Sequence, residues 1–102
     1  MAYPVRQDVK DYMGQAAAAY SDAQIDDALA AEIGAQARIC RVPDGGPEAD
    51  LLEALLRRVA RNLAMRALPL GVLSDESGGT QLGSNDPEIR RLEKPHRKVV
   101  AG

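Results

Sequence analysis

The stretch from Pro47 to Pro69 (PEADLLEALLRRVARNLAMRALP) constrains this chain most. Leu52, Leu55, Leu56, Val59 and Leu63 recur at three- and four-residue spacing, which is the broad apolar stripe of an amphipathic helix. Pro47 suits its start, and Glu48, Asp50 and Glu53 suit the positive end of the helix dipole. Pro69 ends it near Ala67, because a proline ring crowds the preceding residue out of helical geometry. About 20 residues at 1.5 Å rise make a rod of roughly 30 Å, the spine of whatever domain forms. Such a rod must bury its stripe, so the remaining segments have to supply packing partners.

Those partners read as helices too. Pro4 stands at a helix start and Val5–Met13 follows, with Val5, Val9 and Tyr12 or Met13 on one face and Gly14 placed to end it. The next segment, QAAAAY, is a loop or frayed turn. Ser21 and Gln24 form a capping-box pair that opens a second helix over about 22–42. Ile25, Leu29, Ile33 and Cys40 make its apolar stripe, and Ala28, Ala31 and Ala35 line an adjacent one. Gly34 costs about 1 kcal/mol relative to Ala in mid-helix, which predicts close approach of another backbone there. The run PDGGP at 43–47 breaks the chain. A fourth helix covers about 87–94, with Asp86 as N-cap and Pro87 at its first position. Ile89 and Leu92 can pack on the third helix, and Pro95 should stop the fourth. Between helices three and four, 70–85 lacks helical period and is long for a connection in a small domain. A loose two-stranded finger around Ser77-Gly78-Gly79 is possible there. The expectation is one all-α domain over 1–94, with helices at about 4–13, 22–42, 47–67 and 87–94, followed by an extended tail over 95–102.

The core of such a domain is thin. The sequence holds 11 Leu, 7 Val and 4 Ile but no Phe or Trp, while Ala, the commonest residue, occurs 17 times. Alanine lets helices approach closely but buries little area. Neighbouring chains could therefore supply part of the stability, although a modestly stable monomer has the same composition. The single Cys40 rules out an internal disulfide, excludes a multi-cysteine zinc site and fits a reducing compartment. No apolar run reaches a membrane span of about 18 residues, and the N-terminus lacks a signal-peptide core. The expected place of synthesis is a cytoplasm.

No constellation for catalysis or cofactor binding stands out. The one histidine, His96, lies in the tail, a poor place to hold a base rigidly. Asp26-Asp27 reads as a solvated helix face, and Gly78-Gly79 lacks the Lys and Ser/Thr of a phosphate loop. No metal-ligand spacing occurs. The expectation is a non-enzyme with no catalytic residue, no cofactor and no metal.

Charge is more informative. The net value is −2, yet residues 1–56 carry four basic and ten acidic side chains, giving −6, and residues 57–102 carry nine and five, giving +4. Such asymmetry suits a protein with two different faces to present. Arg57, Arg58, Arg61 and Arg66 stud helix three, and Arg90, Arg91, Lys94, Arg97 and Lys98 follow. A small nucleic-acid-binding regulator could use this set against phosphates. Negative net charge and scarce aromatic stacking residues weigh against it. Asp50, Glu53, Glu88 and Glu93 could pair with many of the arginines.

Four stretches taken together resemble the head-to-tail adaptor (connector) proteins of tailed double-stranded DNA bacteriophages. They are AYPVRQDVKDYMG, IDDALAAEIGAQARICRVP, LLEALLRRVARNLAMRALPLGV and the closing DPEIRRLEKPHRK, in that order over nearly the whole chain. The last looks like the family's acidic-Pro cap, short helix and Pro-aromatic-Arg ending, with His96 where the family pattern implies Tyr. The resemblance implies a small helical bundle that performs no chemistry and assembles as a ring, usually of twelve. That ring sits in the neck of the virion, beneath the portal protein and above the stopper or tail. The genome passes through its channel without specific binding, no membrane is involved, and the chain is made in the bacterial host cytoplasm. Portal docking would then fall to Arg90, Arg91, Lys94, Pro95, His96, Arg97, Lys98, Val99 and Val100. Ser74, Asp75, Glu76, Ser77, Gly78, Gly79 and Thr80 would face the lumen or the stopper. Subunit–subunit contacts would use Asp26, Asp27 and Glu32 against Arg57, Arg58 and Arg61. A third possibility is an interaction module of the toxin–antitoxin or chaperone kind, forming a small dimer with a soluble partner.

Overall fold

A computed structural model describes residues 2–66 and 86–98. The described residues form a small all-α bundle with four helices among them: α1 (Arg6–Met13), α2 (Asp22–Ile39), α3 (Ala49–Arg66) and α4 (Pro87–Glu93). Short 3-10 turns extend α1 over Gly14–Ala19 and α4 over Lys94–His96. The expected loop or finger over 70–85, the helix end near Ala67, and Val99–Gly102 lie outside the described residues.

Helix α3 is the spine, with α1, α2 and α4 packed against it. Its inner face buries Leu51, Ala54, Leu55, Val59 and Leu63. Leu52 and Leu56, expected in the core, are half-buried, and Leu51 takes the inner position instead. In the run LLEALL each pair of adjacent leucines offers two phases of the stripe, and tertiary packing buries Leu51 and Leu55. Val9, Ile25, Ala28, Leu29, Leu55, Val59 and Leu63 form the main core cluster, flanked by Met13, Tyr20, Ile33 and Leu56.

The caps match their sequence signals. Ser21 accepts a hydrogen bond from the Gln24 amide at 3.1 Å, and Gln24 Oε1 accepts from the Ser21 amide at 2.9 Å. Asp86 Oδ1 accepts from the amides of Glu88 and Ile89. Gly14 closes α1 at φ 63, a left-handed geometry that glycine adopts without a Cβ clash. Ala17 in the QAAAAY turn is buried.

Several boundaries differ from expectation. Pro4 and Pro47 each precede their helix by two residues and are buried, so both act as apolar lead-ins, not as first helical residues. Helix α2 stops at Ile39 and not near residue 42, because Cys40 turns extended to pair with the C-terminal segment. Cys40 is buried as expected, but past the helix. Among the described residues, nothing lies within 4 Å of where a Cβ of Gly34 would stand, so none of their backbone approaches it as closely as expected. Pro95 does not stop α4 outright. It tightens the last turn into 3-10 geometry, which tolerates proline in its first positions.

Among the described residues, no helix is long and apolar enough to cross a membrane. No group of three or more His, Cys, Asp or Glu among them could hold a metal ion.

Candidate functional site

The densest arrangement of charge lies where α4 meets α2 and α3. Glu93 falls one turn after Ile89, on the buried face of α4, and its side chain is fully buried. Arg58 grips it with two bonds, Nε to Oε2 at 2.6 Å and Nη2 to Oε1 at 2.8 Å. Gln36, also buried, donates to Glu93 Oε2 at 3.0 Å and to the Leu51 carbonyl at 3.0 Å. Arg58 also reaches Glu32 at 3.5 Å. Burial works against the ionised Glu93, but the bonds from Arg58 and Gln36 outweigh it and hold its carboxyl below the usual range. Three helices are thereby tied at one point, with no buried side-chain polar atom left unpartnered among the described residues.

The start of α4 is held similarly. Arg57 donates to Asp86 Oδ2 at 2.9 Å, and Arg61 approaches the same oxygen at 3.8 Å. Partial burial opposes ionisation of Asp86, yet Arg57 and the helix amides keep its carboxyl low.

The segment after α4 folds back onto the body. The His96 carbonyl accepts from the Arg41 amide at 2.8 Å, and the Lys98 amide donates to the Ile39 carbonyl at 2.9 Å. These bonds flank a single antiparallel bridge between Cys40 and Arg97. The His96 ring Nε2 lies 2.8 Å from both oxygens of Asp50 at the start of α3, a bond that lowers the Asp50 carboxyl. Arg97 reaches back to Glu93 at 3.8 Å. Residues 96–98, which fall in the stretch expected as an extended tail over 95–102, are therefore bonded to the body of the domain.

This clamp exposes a basic concavity of about 440 Å3 lined by Pro87, Arg90, Arg91, Lys94 and Arg97. Arg91 pairs with Glu88 one turn earlier on α4. Lys94 is exposed and has no ion pair among the described residues. The structure thus brings Arg90, Arg91, Lys94 and Arg97 together on one surface. Pro95 and Lys98 are exposed, and His96 is turned toward Asp50. Val99 and Val100, like Ser74 to Thr80, lie outside the described residues.

The acidic and basic residues assigned to subunit contacts are mostly engaged within the chain. Asp26 pairs with Arg6 at 2.6 Å, Glu32 accepts from Asn62 at 2.9 Å and faces Arg58, and Arg57 and Arg61 both meet Asp86. Asp27 is exposed. Of the four acids expected to pair with arginines, Glu88 and Glu93 do, whereas Asp50 meets His96 and Glu53 meets the Tyr12 hydroxyl at 2.9 Å.

Gln36 is the residue that sequence reasoning missed. The signal was present: it continues the Ile25, Leu29, Ile33 stripe at helical spacing, so a polar side chain occupies a core position. Glu93, one turn from Ile89, carries the same signal. A polar residue on an apolar stripe asks for a buried partner, and these two answer each other.

No family model, curated protein or solved structure matches this chain.

Proposed function

We propose that this chain is a head-to-tail adaptor of a tailed bacteriophage, a ring-forming neck protein that joins the portal to the stopper or tail. The observation that carries this reading is the clamped C-terminal segment. It holds Arg90, Arg91, Lys94 and Arg97 on one concave surface, with residues 96–98 bonded back to Ile39 and Arg41. A rigid basic platform followed by Val99-Val100 suits docking onto an acidic and apolar protein surface, since a preordered element loses less entropy on binding. The sequence resemblance supplies the identity of that surface, the portal. Residues 74–80 remain the proposed lumen- or stopper-facing segment, and the ring of about twelve follows from the resemblance alone.

The nucleic-acid reading loses part of its support in the geometry. Arg57 and Arg58 of α3, which it would turn toward phosphates, are engaged by Asp86, Glu93 and Glu32. The remaining basic concavity would still bind duplex with a steep salt dependence if that reading held.

The test is electron microscopy of the chain mixed with the portal ring of its own genome. An added ring in axial class averages is expected. The double variant Arg90→Glu, Lys94→Glu should lose that density while keeping its helical circular dichroism. A bare portal in the presence of packaged DNA, together with salt-sensitive duplex binding, would replace the adaptor reading with the regulatory one.

A further inference from the structure

Most charged groups of the described residues are neutralised inside the chain. Arg6 and Lys10 meet Asp22 and Asp26, Arg57 meets Asp86, Arg58 meets Glu93, Arg91 meets Glu88, and His96 meets Asp50. Asp8, Asp11, Arg38 and Arg41 are among the charges that have no ion pair among the described residues, and they fall in two patches that also hold exposed apolar side chains.

The first is a groove between the N-terminal segment, α1 and α3. It has a volume of about 650 Å3, and Tyr3, Pro4, Tyr12, Leu52 and Leu56 line it. Asp8 and Asp11 stand at its α1 side. Neither acid has an ion pair among the described residues: Asp8 accepts from the Val5 amide and Asp11 from Gln7. Tyr3 and Tyr12 are among the large hydrophobics left exposed, at 39% and 37%.

The second patch is at the end of α2. Ile39 is 37% exposed, and Arg38 and Arg41 flank it, both exposed and without an ion pair among the described residues. The backbone bonds of Arg41 and Ile39 to the 96–98 segment hold this patch in place and set the exposed Lys98 beside it.

The two patches are complementary in kind. One is an apolar hollow with two acids, and the other an exposed isoleucine with cations one and two residues away in sequence. They share no residue, so a contact between them is heterologous and adds copies head to tail. We propose that the Tyr3–Tyr12–Leu52–Leu56 groove receives Ile39 of a second copy of this chain, with Asp8 and Asp11 facing that copy's Arg38 and Arg41. The surfaces involved differ from the α2 and α3 charges engaged within the chain, and they leave the basic concavity of α4 open for another partner. Closure of the repeat into a ring rests on the adaptor reading. The pairwise contact does not.

The experiment uses the full chain in sedimentation velocity over a wide concentration range. Wild type is expected to self-associate. Asp8→Lys with Asp11→Lys, or Arg38→Glu with Arg41→Glu, should each weaken association by about tenfold or more. Mixing the two reversed chains should restore association with the two chains alternating, because each groove then meets an α2 end of opposite charge only on the other chain. A second measurement guards against loss of fold in the reversed chains. Asp11→Cys and Arg38→Cys chains, mixed under mild oxidation, should form a crosslinked heterodimer, and a chain with both substitutions should form a ladder. A monomeric wild type at every concentration overturns the proposal, as does crosslinking of Asp11→Cys only to itself. Because portal binding is not part of either readout, failure here is separable from failure of the adaptor reading.

Discussion

Helices α1 and α4 are both short, at 8 and 7 residues, both pack on α3, and both are held by ion pairs. The physics of those pairs is opposite. Arg6 and Lys10 of α1 meet Asp22 and Asp26 in water, with every partner's side chain more than a third exposed or close to it. Water and salt screen such pairs, so they add little. In α4 the carboxylate of Glu93 is fully buried, and Arg58 is mostly covered. There a pair lies in low dielectric, and its loss strands a charge. The helix that presents the basic platform is therefore locked by charge. The helix that lines the apolar groove rests on Val9, its one buried residue.

The comparison can be broken most forcefully at Glu93. Glu93→Ala removes one partner of the buried pair and leaves the mostly covered Arg58 with only its longer contact to Glu32 at 3.5 Å, which should cost about 3–5 kcal/mol in urea unfolding. The same carboxylate sets an acid limit. Its folded value is depressed, so its contribution is complete above the unfolded carboxylate value of about 4.3 and fades as pH falls below it. Thermal melts should show stability declining on acidification from that point, and less steeply for Glu93→Gln. Cutting Val9→Ala tests the other side. Two lost methyl groups and the cavity they leave should cost about 2 kcal/mol, with α1 amides exchanging faster than those of α4.

A smaller effect of opposite sign is expected at Gly34. Its site is open among the described residues, so Gly34→Ala should stabilise the monomer by about 0.5–1 kcal/mol through helix propensity. Should the same change weaken self-association, then the close approach expected at Gly34 belongs to a neighbouring copy. The smallest effect should come from Arg6→Ala. Its pairs are exposed, and its melting temperature should stay within a degree or so of wild type. A large drop would mean that α1 is held by charge after all and would erase the contrast with α4.

Much of the fold was legible in the residues. The Ser21–Gln24 box, the Asp86-Pro87 start and the Gly14 stop are local chemistry, and each occurs where its side chains demand. Local signals were weaker where two solutions were equal. Adjacent leucines at 51–52 and 55–56 left the phase of α3 open by one residue, and the pattern could not say which leucine the groove would keep. The candidate site was legible only in its parts. Arg90, Arg91, Lys94 and Arg97 were visible as a basic run, but not that Glu93 among them turns inward or that His96 bonds Asp50, 46 residues away in sequence.

By itself, the sequence determined the four helices of the described residues, most of their caps and the division of the chain into an acidic first half and a basic second half. Those features depend on neighbours within one or two turns, where propensity, capping bonds and proline geometry act. Only the tertiary structure decided which charges remain available to a partner. Whether an arginine is spent or presented depends on which carboxylate the packing of α2, α3 and α4 brings within about 3 Å. Composition counts the charges, but only packing determines which of them face solvent alone.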